Sequence, residues 1–90
     1  MYSFNKPSIV EDTALDILKD NPNGLFSNEL VKIIQLRQPN KLTGNNPLKS
    51  FYSIIYRREK KREILNMPTL FIISRHGKFL LYKLNNEVEK

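Results

Sequence analysis

The sequence contains no cysteine, so it can build neither a disulfide framework nor a thiolate metal site, and it offers no thiol nucleophile. Its single histidine makes a zinc centre a poor fit. No apolar run approaches the roughly 18 to 20 residues needed to cross a bilayer, and the first residues lack the apolar h-region of a signal peptide. A reducing intracellular compartment is therefore expected: cytoplasmic or nucleoid-associated in a prokaryote, nuclear in a eukaryote. Glycine-rich phosphate loops, Ser/His/acid arrangements, internal repeats and low-complexity segments are also missing.

What remains is 90 residues, 40% apolar and 27% charged, a globular composition too short for a large enzyme scaffold. One domain is expected. The net charge of +6 is unevenly spread. Residues 1–31 carry two lysines against five acids, whereas residues 32–83 carry twelve Lys/Arg against only Glu59 and Glu63, a local net of +10. That field favours an acidic partner.

Along the chain, residues 1–8 read as an N-terminal arm, in which Tyr2 and Phe4 serve as anchors. Val10, Ala14, Ile17 and Leu18 follow helical spacing and predict a first helix over Ile9–Lys19. Asn21-Pro22-Asn23-Gly24 breaks it, and Leu25-Phe26 supplies a short sheet edge. Ser27 reads as the N-cap of a second helix from Asn28 to about Gln38, with Leu30, Ile33 and Ile34 inward and Leu36 and Val31 broadening the apolar side. A loop follows. Asn46-Pro47 then starts the best-defined helix, with Leu48, Phe51, Tyr52 and Ile55 as its core stripe. Leu70 to Ser74 and Phe79 to Leu84 predict a β-hairpin around a polar Arg75-His76-Gly77-Lys78 turn. Residues 85–90 read as a tail.

Three helices, a hairpin and a short third edge near Leu25-Phe26 make an α+β fold, a small winged helix-turn-helix, over residues 9–84. An α-helix fits the major groove of DNA, and cations on it displace the counterions of phosphates. The side of the third helix turned away from its core stripe carries Lys49, Ser50, Ser53 and Arg57, with Lys60 and Lys61 extending it if the helix passes Arg58. Lys49, Ser50 and Ser53 are expected near bases. Arg57, Arg58, Lys60, Lys61 and Arg62 are expected on phosphates, and Arg75 and Lys78 at the wing tip. His76 reads as an exposed turn residue. Phe26, Phe51, Tyr52, Phe71 and Phe79 read as core or sheet packing and Tyr82 as a boundary sheet residue. Glu59 is expected in a surface ion pair, and Asp12, Asp16 and Asp20 face solvent. No catalytic residue, metal site or cofactor is expected.

The segments Thr13-Ala14-Leu15-Asp16-Ile17-Leu18, Gly24-Leu25-Phe26-Ser27-Asn28-Glu29-Leu30, Leu42-Thr43-Gly44-Asn45-Asn46-Pro47 with Ile55-Tyr56-Arg57-Arg58, and Arg75-His76-Gly77-Lys78-Phe79-Leu80-Leu81 together resemble the HARE-type winged helix-turn-helix family. The resemblance spans about residues 9 to 84. It implies a DNA-binding or DNA-targeting module of transcription, chromatin or restriction systems, often attached to another activity. With no catalytic pattern in the sequence, a noncatalytic double-stranded DNA-binding module is the function expected. Asn45-Asn46 and the basic run from Arg58 to Arg62 depart from the family pattern. The alternative is a protein-interaction module in such an assembly, meeting an acidic protein surface.

Overall fold

The computed structural model describes residues 7–85. The anchoring role of Tyr2 and Phe4 and the tail beyond Asn85 lie outside the described residues.

The first helix, α1 (Ile9–Lys19), begins where the Ser8 hydroxyl accepts the Glu11 amide at 3.2 Å. Val10, Ala14, Ile17 and Leu18 are buried as their spacing predicts, and Asp12, Asp16 and Asp20 face solvent. The Asn21–Gly24 turn delivers strand β1 (Leu25–Phe26), which runs directly into α2 (Ser27–Arg37). Ser27 is thus the first helical residue and not the cap. Phe26 holds the cap position in extended backbone, and its amide donates to Glu29 Oε1 at 3.2 Å. Leu30, Val31 and Ile34 are buried, but Leu36 is 81% exposed and adds nothing to the apolar face.

The loop after α2 is pinned by Leu42, which is buried although it lies outside regular structure. Its φ of 56° turns the chain inward, and the Gln35 side-chain amide donates to its carbonyl at 3.0 Å. Helix α3 (Pro47–Ile64) follows, with the Asn46 side chain accepting the Lys49 amide at 3.1 Å. Its 18 residues make it about 27 Å long, well past Arg58. It ends where Asn66 takes a left-handed φ of 58° and the Met67 amide donates to the Arg62 carbonyl at 2.8 Å. Phe51 and Ile55 form its core contact, whereas Leu48 and Tyr52, assigned to the same stripe by spacing, are exposed at its edge.

Strands β2 (Phe71–His76) and β3 (Phe79–Leu84) complete an antiparallel sheet in the order β1-β3-β2. Three helices followed by a hairpin, with β1 as a third edge, make the α+β winged helix-turn-helix-like architecture. The hairpin is tighter than the sequence suggests. Arg75 and His76 belong to β2, opposite Leu80 and Phe79, so the turn is Gly77-Lys78 alone, with Gly77 at φ 63°. The rings of His76 and Phe79 both meet Phe26 edge-on, at 6.0 and 6.2 Å, which keeps the strands paired to their ends. This cluster lies on the solvent side of the sheet. Phe79 is accordingly 45% exposed rather than part of the core. Tyr82 moves the other way: in the central strand, between Phe51 at 5.1 Å and Phe71 at 6.1 Å, it is fully buried.

Gly24 has φ +88°, and a Cβ there would lie 2.7 Å from the Tyr82 carbonyl oxygen and against the Lys83 side chain. Gly24→Ala is expected to cost about 1–3 kcal/mol, read by urea unfolding, because strain and contact act together.

Candidate nucleic-acid interface

At 100° per residue, the buried positions Phe51, Ile55, Glu59 and Arg62 fall on one stripe of α3, and the opposite side is left to solvent. Lys49, Ser50, Ser53 and Arg57 line a single surface depression there, with Ile54 as its apolar wall. The Arg57 Nε donates back to the Ser53 carbonyl at 3.3 Å, so the guanidinium lies along the helix. The Asn46 cap and Pro47 set the start of this face. Cations, hydroxyls and the first helical turn are therefore neighbours.

The basic run at the other end of α3 is divided between inside and outside. Arg62 is buried and reaches both Glu11 oxygens, Nη2 to Oε1 at 2.7 Å and Nη1 to Oε2 at 2.8 Å, while its Nη1 also meets Glu59 Oε1 at 3.2 Å. Arg58 Nε donates to Glu11 Oε1 at 3.0 Å. The structure thus places these two arginines, expected from the sequence on phosphates, against Glu11 of α1. Glu59 is correspondingly buried rather than in a surface pair, and it accepts the Leu70 amide at 3.0 and 3.2 Å. Two glutamates and two arginines balance, so charge can be buried here at all. Lys61 is half-buried.

Burial raises the Glu59 pKa above its ordinary value, against the opposing pull of the Leu70 amide and the Arg62 charge. The folded state then holds this proton more tightly than the unfolded chain. The Glu59 contribution to stability is greatest below pH 4.5 and falls as pH rises from there through its raised folded value. Urea unfolding across that range is expected to show the native protein losing stability relative to Glu59→Gln as pH rises, which isolates the Glu59 contribution.

Lys60 and Arg75 meet elsewhere, in a groove of about 460 Å³ between α3 and β2. Tyr52 and Tyr56 stand on its helix side, stacked at 5.7 Å with planes 21° apart. Ile73, Leu80 and Tyr82 line its sheet side. Tyr56 is 51% exposed and Tyr52 44%, so neither serves the core. The core-stripe spacing predicts Tyr52 inside, and both tyrosines instead stand at the surface. Their signal was the four-residue spacing beside the polar face, which places them at about 40° and 80° from Leu48, next to Lys60 at about 120°. Arg75 reaches the groove because Phe71, Ile73 and Arg75 alternate onto one face of β2. Lys78 is exposed in the turn, and exposed His76 ends β2 with its ring 3.1 Å from the Ser74 hydroxyl.

Among the described residues no group of three or more His, Asp or Glu is disposed to hold a metal ion, and no helix is long and apolar enough to cross a membrane. Comparisons with protein-family models, with curated proteins and with solved structures return no match. The chemistry of the interface therefore stands on its own residues. It comprises a cationic, hydroxyl-bearing helix face and a separate aromatic groove on a fold consistent with nucleic-acid or protein binding.

Proposed function

We propose that this domain is a noncatalytic double-stranded DNA-binding or DNA-targeting module. The start of α3 enters the major groove, where Lys49, Ser50 and Ser53 approach bases and Arg57 meets phosphate. Lys78 in the wing turn and Arg75 behind it contact the neighbouring backbone. The observation that carries the reading is the shared depression of Lys49, Ser50, Ser53 and Arg57 on the solvent side of a helix whose diameter of about 10–12 Å matches a groove of about 12 Å. Sequestering the Arg62 and Arg58 charges with Glu11 and Glu59 supports it further, because the buried acids cannot repel a polyanion from this face. The motifs that resemble the HARE-type family favour a place in transcription regulation or restriction-modification.

Fluorescence anisotropy of a random-sequence duplex, titrated at rising salt, tests the proposal. With four to six phosphates neutralised, log K should fall linearly against log salt with a slope of about −4 to −5. An absence of binding to any duplex at low salt, with capture of an acidic protein instead, would put the protein-interaction reading in its place.

A further inference from the structure

The groove between α3 and β2 is not needed to lay a helix in a duplex, yet its chemistry is specific. Its volume of about 460 Å³ lies within the range of small-ligand sites, and its lining is mostly apolar and aromatic. Tyr56 presents half its surface to solvent beside the stacked Tyr52. Tyr82 contributes to the wall, and its buried hydroxyl is the one side-chain polar atom among the described residues that is buried with no hydrogen-bond partner. A buried hydroxyl left so is costly, and a small shift of the groove wall that admits a ligand edge carrying a donor or acceptor would satisfy it. Arg75 adds a cation to the same groove. Lys60 stands at the rim in an exposed pair with Glu63 at 4.0 Å, and Glu59 is committed to Arg62 and the Leu70 amide. A flat aromatic platform, a lone buried hydroxyl and a cation match the three parts of a nucleotide: base face, base edge and phosphate.

We infer that this groove receives one unpaired nucleobase of the bound DNA, stacked on Tyr56, with its edge bonded to the Tyr82 hydroxyl and its phosphate met by Arg75. The inference rests on the DNA-binding reading and sharpens it, since the domain then prefers DNA with an extrahelical base over fully paired DNA. The cost of unstacking a paired base is what sets the preference.

The test uses two duplexes of matched sequence, one fully paired and one carrying a single unpaired 2-aminopurine, whose fluorescence reports stacking. The native protein should bind the unpaired form about tenfold more tightly and quench its fluorescence, as expected for one stacked base. Tyr56→Ala should remove both effects and leave affinity for the paired duplex within about twofold, the exposed position sparing the fold. Tyr82→Phe should keep the fold, by far-ultraviolet circular dichroism, and reduce the preference about threefold or more. Equal, salt-dependent binding of both duplexes by the native protein would overturn the inference and leave the DNA-binding reading standing. So would a Tyr56→Ala loss that is the same for both duplexes. Failure to bind either duplex would overturn the DNA-binding reading itself.

Discussion

Glu11→Gln is expected to destabilise the domain by about 3–5 kcal/mol, the usual result of removing one partner from a buried ion pair. Glu11 is 2% exposed and accepts from Arg62 at 2.7 and 2.8 Å and from Arg58 at 3.0 Å. Glutamine preserves shape but removes the charge, so Arg62 loses its bidentate carboxylate inside the fold and keeps the Glu59 contact at 3.2 Å. For a domain of this size the change should lower Tm by more than about 12 °C. Urea unfolding followed by far-ultraviolet circular dichroism measures it. A loss below about 1 kcal/mol would mean that water reaches these arginines and that the network is not interior.

The second large effect is on binding. Replacing Lys49, Arg57 and Lys60 together by alanine should weaken duplex affinity about 100-fold or more near 0.1 M salt, with a salt slope shallower by about 2 to 3. Stability should change by less than about 1.5 kcal/mol in total, since all three side chains are exposed. Arg58→Ala provides the contrast: its main consequence is on stability, through Glu11, rather than on the salt slope. Unchanged affinity in the triple variant would remove α3 from the interface.

The two effects separate a basic run that looks uniform along the chain. Helical spacing shows that Arg58 and Arg62 lie nearer the Phe51–Ile55 stripe than Lys60 or Arg57 do, and that much can be read from residue numbers. That the stripe continues inward for two more turns depends on Glu11, forty-seven residues away from Arg58, standing opposite it on α1. No local pattern announces such a pair. The same limit explains Tyr82 and Phe79: both lie in one apolar strand, but which face is interior was settled by Phe51 and Phe71 packing on Tyr82. Leu42 was overlooked because a lone apolar residue in a polar loop has no periodicity to reveal it.

The order and type of the elements, the break at Asn21–Gly24, the helix start at Asn46-Pro47, and the cationic side of α3 follow from amino-acid spacing, because capping, turns and amphipathic stripes are near-neighbour effects. Tertiary packing decided that Arg58 and Arg62 turn inward to Glu11, why Arg75 leaves the turn for the groove, and how Tyr52 and Tyr56 come to stand across from the sheet. Those outcomes depend on groups brought together from distant parts of the chain, where desolvation and partner geometry outweigh local preference.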